Sequence, residues 1–312
     1  MKVGIIGTGA VGSSAAFAMV MSGVASELVL IDPDEGLASA QADDLEDATP
    51  FAHAVRISAD DYHQLAGARV VVLCCGARRR EGESRLELLA RNAEIFRHVI
   101  AQVVANAPGA ILIVVSNPVD ILTDLVCRIS GLPAGQVFGT GTVLDTARFR
   151  ARLGTLVSVS PRSIHGYVLG EHGESEVLVW SSVAVGGIPL DQFAAQVGQP
   201  LTPEVRAAID EGVRAAGARI IKGKGATYYG IGGAVCRIVR AIRDNEDALL
   251  TVSAPSPELD LGQSSPACLS LPRIIGGDGI RRTLVPALSE PEHLELERSA
   301  GILRESARAL GL

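Results

Sequence analysis

The sequence predicts an α/β fold, a doubly wound parallel sheet followed by an α+β domain, and three observations carry that reading. The first half alternates short runs rich in Val, Ile and Leu with longer helical stretches. Few hairpin turns separate those runs, and a glycine-rich turn directly follows the first of them. Short, wholly apolar strands joined through helices form parallel sheets covered on both faces, whereas half-exposed antiparallel sheets show alternation and tight turns.

Taken in order, strands are expected at residues 2–6, 28–31, 55–57, 70–73 and 111–115. A helix is expected at 13–21, opened by the glycine turn, and a longer one at 86–106, after the glycine-bounded segment 76–84. Beyond about residue 145 the pattern changes. Strand candidates at 164–168, 177–180, 249–252 and 269–275 now sit among helical segments at 203–222, 226–244 and 291–310. No Gly-, Ser- or Pro-rich linker divides the chain, so the two halves are expected to share a wide interface, and there is no internal repeat.

Bulk properties narrow the function classes. With 312 residues, 47% hydrophobic and 20% charged, the chain has room for two domains with real cores and fits no fibrous or disordered class. A formal charge of −7 argues against nucleic acid or an anionic membrane as partner. No apolar run reaches the length of a membrane span. The five cysteines are odd in number and lack disulfide or zinc spacing, which suits a reducing compartment and predicts no metal site. The opening Met1-Lys2-Val3-Gly4-Ile5-Ile6 reads as a strand cut off at Gly7, not a signal peptide, so a cytoplasmic location is expected.

The first chemical motif is Gly7-Thr8-Gly9-Ala10-Val11-Gly12. Alone, such a triplet of glycines marks ordinary turns. Here it follows an apolar strand and opens a helix, and a second strand ends in Asp32, twenty residues beyond Gly12. That context is the Rossmann-type dinucleotide fingerprint: backbone approaches the pyrophosphate at the glycines, the helix N-terminus favours its negative charge, and the acid binds ribose hydroxyls. An acid at that point repels a 2′-phosphate, so NAD is expected over NADP. The expected division is an NAD-binding domain over 1–143 and a catalytic, substrate-binding domain over 144–312.

The second motif is Gly170-Glu171-His172-Gly173. A lone histidine is more often structural than catalytic, but glycines on either side leave room for a partner to approach. Asp145 and Arg148 lie three residues apart and share a face of any helix that carries them. An acid there can raise an imidazole pKa, and a guanidinium can clamp a carboxylate with two hydrogen bonds. The same spacing also suits a plain ion pair within the helix.

Five ordered segments, Gly7 to Gly12, Gly82 to Arg85, Asn117 to Asp120, Asp145 to Arg148 and Gly170 to Gly173, together resemble the L-lactate/L-malate dehydrogenase family over almost the whole chain. Within it the look is that of bacterial L-lactate dehydrogenases, through 117–122, 145–150 and 224–229. The resemblance implies that His172 donates and accepts the proton, Asp145 orients it, Arg148 holds the substrate carboxylate, and Arg85, on a mobile loop, polarises the ketone. It further implies that Asn117 supports the substrate oxygen and the nicotinamide, and that Thr227 lines the substrate pocket. Gly7, Gly9, Val11, Gly12, Asp32, Gly76, Ala77 and Asn117 make up the expected NAD-binding set. The implied substrate is a small 2-oxo or 2-hydroxy acid, and family members are usually homotetramers. A non-catalytic NAD-binding sensor would lack part of the His172, Asp145, Arg148 and Arg85 set, yet all four are present.

Two features extend the expectation. Where pyruvate-using relatives typically carry glutamine, six residues before Arg85, this chain has Arg79, the residue type of malate dehydrogenases. Either Arg79 is solvated or paired with Glu81, or it recognises a second substrate carboxylate, in which case oxaloacetate is reduced better than pyruvate. Arg150 and His165 occupy positions that bind fructose 1,6-bisphosphate between subunits in relatives activated by that sugar; without a ligand they are plain surface or interface residues.

Overall fold

The computed structural model describes every residue of the chain except 78, 79, 81 and 260–265, together with the side chain of Arg85. The first half runs β1 (Lys2–Ile6), α1 (Ala10–Ser22), β2 (Glu27–Ile31), α2 (Glu35–Ala48), β3 (Arg56–Ala59), β4 (Val70–Leu73), α3 (Arg85–Asn106), β5 (Ile111–Val114), α4 (Val119–Ile129) and β6 (Val137–Gly139). These six strands pair in parallel. The second half opens with α5 (Val143–Leu156) and five two-residue strands, β7 (Ile164–His165), β8 (Val168–Leu169), β9 (Val177–Leu178), β10 (Ala184–Val185) and β11 (Ile188–Pro189). Then come α6 (Leu190–Gln196), α7 (Pro203–Arg214), α8 (Ala216–Lys224), α9 (Tyr229–Asp244), β12 (Ala248–Pro255), β13 (Cys268–Gly276), β14 (Gly279–Thr283) and α10 (Glu290–Ala309).

The large sheet has nine strands in the order β14-β13-β12-β6-β5-β4-β1-β2-β3. Its parallel part is doubly wound, as the sequence predicts, and the order reverses between β1 and β4. The loops that leave the C-terminal ends of strands at such a switch point form the ligand crevice of this architecture. The antiparallel β12–β14 meander joins the same sheet through β6, where Ser253 pairs with Gly139. The two halves thus meet through backbone hydrogen bonds as well as side chains.

Both faces of the sheet are covered, which is why β4 and β5 are wholly buried. One core packs α3, α4 and α10 through Phe96, Leu122 and Leu296; the other packs α1 and α9 through Met19, Val20, Val235 and Ile238. A smaller cluster around Phe149, Leu153, Ile209 and Val213 fastens α5 to α7.

Some elements depart from expectation. The run expected as one strand at 164–168 is two short strands separated at Gly166, where a Cβ would come within 3.1 Å of Val183. The helix expected at 203–222 divides at Ala215 into α7 and α8, although Ala215 itself keeps helical dihedrals. β6 and β14 are not expected from sequence: one is three residues long, and the other is an edge strand with exposed Arg281 and Arg282.

Candidate active site

At the end of β1 the chain turns through Gly7, whose φ of 92° is in the left-handed region and whose absent Cβ would stand 2.7 Å from the Cys74–Cys75 backbone. A Cβ on Gly12 would stand 2.0 Å from the carbonyl oxygen of Gly7, so glycine there lets α1 start directly against the turn. Around Gly9 the corresponding space is empty to 4 Å, leaving the N-terminus of α1 approachable by a pyrophosphate. Asp32, at the end of β2, is pinned by the backbone N–H of Thr8 (2.7 Å), the Thr8 hydroxyl (3.2 Å) and the N–H of Asp34 (3.1 Å). Bare backbone at the phosphate position with a fixed carboxylate beyond it fits a dinucleotide. Across the crevice, the N–H of Ala77, next to Gly76, donates to the buried Asn92 side chain at 2.8 Å. Replacing Asp32 with serine should raise the preference for NADPH relative to NADH by roughly tenfold or more, because like-charge contacts cost on the order of a few kcal/mol. An unchanged ratio in steady-state kinetics would count against this carboxylate as the discriminator.

A cavity of about 360 Å³ opens beside this turn and brings together Asn117, Asp145, Arg148, His172 and Thr227, with Val11 in its wall. Asp145 and Arg148 both come from α5 and form the ion pair that their spacing allows, while Asp145 also bonds His172. Asp145 Oδ1 accepts from Arg148 Nη1 at 2.8 Å, while Oδ2 meets His172 Nδ1 at 2.6 Å. Asp145 is buried, so both bonds are charge-assisted in a poorly solvated place. Burial works to raise its pKa, but hydrogen bonds and charge from His172 and Arg148 win, and it lies below the usual carboxylate range. For His172, burial favours the neutral ring, yet the Asp145 hydrogen bond and the charges of Asp145, Asp120 and Glu176 outweigh it and raise its pKa to about 9. At neutral pH the imidazole is therefore a stored proton, with Nε2 as its remaining nitrogen.

The loop that carries His172 is held from beneath. Gly170 has a φ of 83°, and a Cβ there would come 2.6 Å from Ser299 Oγ, the hydroxyl of α10 that accepts from the N–H of Glu171. The N–H of His172 donates to Asp120 Oδ2 at 2.8 Å. Asn117, after β5, accepts from the N–H of Val119 at 3.3 Å, which fixes its amide at the start of α4. Asp145, His172 and Glu176 each present one donor atom within 4.8 Å of the others, a set that metal sites also use. Both Asp145 oxygens are already committed to Arg148 and His172, which favours proton transfer as the use of this group.

The remaining site residues are placed differently. Arg85 is the first residue of α3, whose start is fixed by the Ser84–Glu87 capping box, but its side chain lies outside the described residues. Arg79 also lies outside them. Arg150 lies in another cavity, with Arg162 and Arg237, and its Nε donates to the Gly166 carbonyl at 3.0 Å. His165 is exposed on β7 and does not line that cavity, although its chain neighbours Arg162 and Tyr167 do. Sequence reading assigned no role to Asp120, Glu176 or Arg214. Asp120 stood inside a recognised segment, so an acid in a buried helical turn was the available signal. Arg214 reaches the loop by donating to the carbonyls of Glu174 and Glu176, a long-range contact that no local pattern announces.

A glycine cradle for a dinucleotide, opening onto a carboxylate–imidazole–guanidinium group at a topological switch point, defines a nicotinamide-dependent dehydrogenase. Comparison with known proteins agrees over the full length. Residues 1–139 match the NAD binding domain, and residues 142–309 the alpha/beta C-terminal domain, of the lactate/malate dehydrogenases. The chain belongs to the lactate/malate dehydrogenase family, and its cofactor is NAD. It is 53% identical to the L-lactate dehydrogenase of Thermus aquaticus over 100% of both chains. It is also 53% identical to that of Allorhizobium ampelinum over 98% of both. Among solved structures, a lactate dehydrogenase from a Medee basin deep-sea metagenome library superposes with a TM-score of 0.96 at 38% identity, covering 100% of this chain and 99% of the other. The minor L-lactate dehydrogenase of Enterococcus mundtii, in a ligand-bound form, gives 0.93 at 40% identity, covering 98% and 97%. Among the described residues, no helix is long and apolar enough to cross a membrane.

Proposed function

We propose that this protein reduces small 2-oxo acids to L-2-hydroxy acids, and oxidises them in reverse, with pyruvate and L-lactate as the principal pair. The observation that supports this best is the single cavity in which Asp145 holds His172 while the same carboxylate steers Arg148. Bound NADH supplies the hydride. As the ketone carbon accepts it, charge builds on the carbonyl oxygen, and His172 gives that oxygen a proton from Nε2. Asp145 stabilises the imidazolium before the transfer and fixes the ring during it. Arg148 takes the substrate carboxylate, setting the ketone against the imidazole. Arg85 adds a second positive group to the developing charge, and Asn117 and Thr227 complete the wall.

A second reading rests on Arg79, which stands where pyruvate-using relatives typically carry glutamine. A guanidinium opposite pyruvate faces a methyl group, whereas opposite oxaloacetate it meets a carboxylate and forms a bidentate pair. Substantial oxaloacetate reduction is therefore part of this proposal. Removing one partner of a desolvated charge pair costs roughly 2–5 kcal/mol, about 30- to several thousand-fold in rate. Arg79→Gln should lower kcat/KM for oxaloacetate by a factor in that range and raise it for pyruvate. Equal specificity before and after the substitution would assign Arg79 to solvent.

We further propose a homotetramer working in the cytoplasm, in which Arg150 and His165 of facing subunits bind fructose 1,6-bisphosphate and favour the assembled, active state. The pyruvate saturation curve should then shift to lower concentration when the bisphosphate is added at pH 6. Superimposable curves at pH 6 would remove the allosteric part.

A further inference from the structure

Glu176 is a buried carboxyl group that the chemistry above does not use, and its position gives it a task. It is 3% exposed, and its Oε1 has no hydrogen-bond partner among the described residues. Glu176 lines the substrate cavity and also a second cavity of about 660 Å³ behind the catalytic loop, where Glu171, Ser175, Glu295 and Arg298 reach the surface. It therefore stands in the wall between them, within 4.8 Å of donor atoms on both Asp145 and His172. Arg214, the nearest cation from α7, spends its hydrogen bonds on backbone carbonyls of Glu174 and Glu176 instead of this carboxylate.

We propose that Glu176 is a proton relay that recharges His172 from the second cavity while the substrate cavity is still occupied. This deepens the dehydrogenase reading and rests on it. A 2-oxo acid and a nicotinamide seated against Nε2 cover the front of the imidazole. After the ring has given its proton to the substrate oxygen, replenishment from the front waits for product to leave. Nδ1 keeps the proton it shares with Asp145, so the freed Nε2 lone pair is the acceptor. Once the product hydroxyl swings off it within the still-occupied cavity, the neutral Glu176 carboxyl, which lines the same cavity, passes its O–H proton to Nε2, directly or through one water. The carboxylate that remains takes a proton from water in the second cavity, so the cycle closes with one proton taken up from solvent.

The charges around Glu176 suit that role. Burial, followed by the negative charge of Asp145, pushes its pKa up to about 8, against the opposing pull of Arg214, His172 and Arg148. Glu171 and Glu174 on its own loop and Glu295 on α10 add negative charge around the second cavity, while Arg298 adds one positive group. Asp120, beneath the loop, bonds the His172 backbone. At neutral pH Glu176 thus holds a proton that it can release within the working range, which a solvated carboxyl cannot do.

The decisive variant is Glu176→Gln, which keeps the shape and removes the proton; unchanged NADH binding verifies its fold. In the free protein, the His172 ring signal followed by NMR should show two coupled inflections in the wild type. In the variant it should show one, at lower pH, because a neighbouring negative charge has gone. In turnover, the variant should lose about tenfold at pH 8 and recover as formate or imidazole buffer is raised at constant pH and ionic strength, since a relay contributes less than the directly transferring group, which is worth about 10²–10⁴-fold. The wild type should show no such buffer dependence. The proposal stands only if both the titration shift and the buffer rescue are seen; the absence of either overturns it. If the wild type reduced no 2-oxo acid at all, the dehydrogenase reading would fail, and the NMR titration alone would decide whether Glu176 and His172 share a proton.

Discussion

Replacing His172 with alanine is expected to lower 2-oxo acid reduction by about 10²–10⁴-fold while NADH affinity stays nearly unchanged. The separation follows from geometry. His172 lies on the loop after β8 in the substrate cavity, whereas the glycine turn and Asp32 that fit the dinucleotide belong to β1, α1 and β2. The wild-type pH profile carries the same claim, with a sign that can be worked out. Reduction needs the imidazolium, whose pKa is raised to about 9. Activity should therefore hold through neutrality and fall as pH rises through about 9. Oxidation of the hydroxy acid needs the neutral ring and should fall as pH drops below the same point. Near-normal turnover in the alanine variant, or a limb at the unperturbed histidine value of about 6.5, would remove His172 from the role.

Arg148→Gln is expected to cost about 30- to several thousand-fold in kcat/KM, carried mainly by KM, because one partner of a desolvated charge pair is removed. One N–H of Arg148 is committed to Asp145 Oδ1, and the rest of the planar guanidinium can take a carboxylate side-on. Arg148→Lys should recover only part of the loss, since it restores charge without the fork. The Asp145 contact adds a second effect. Without Arg148 the carboxylate leans wholly on His172, so the imidazole should hold its proton to higher pH and the falling limb of reduction should move up. Saturation kinetics of both variants across pH measure the two effects together. A fall in kcat at unchanged KM would mean that Arg148 acts on the chemistry and not on the carboxylate.

Much of this was legible in the sequence because the relevant signals are local. The glycine triplet, the helix it opens and the acid twenty residues on lie within two strands and a turn, and backbone sterics at Gly7 and Gly12 leave few alternatives. The Asp145–Arg148 pair was legible as spacing on α5, but spacing could not tell a helix ion pair from a site, and Asp145 divides its oxygens between both. What stayed hidden depends on chain segments that meet only in the fold. β12 joins β6 through one pairing between Ser253 and Gly139, more than a hundred residues apart. Glu176 looks like any loop acid until α5 and α7 close over it, and Arg214 until its guanidinium reaches the catalytic loop. Hydrophobic period reports which face of an element is buried, not which distant carboxyl shares a cavity with an imidazole.

The central claim is that one cavity couples nicotinamide oxidation to protonation of a 2-oxo acid by His172. Its most direct test is to incubate the purified protein with NADH and pyruvate, and separately with NADH and oxaloacetate, following NADH absorbance while measuring the L-2-hydroxy acid formed. The account predicts that each equivalent of NADH lost yields one of L-lactate or L-malate. Tight NADH binding with no NADH consumed in the presence of either acid would contradict it, leaving a protein that holds the dinucleotide without using it.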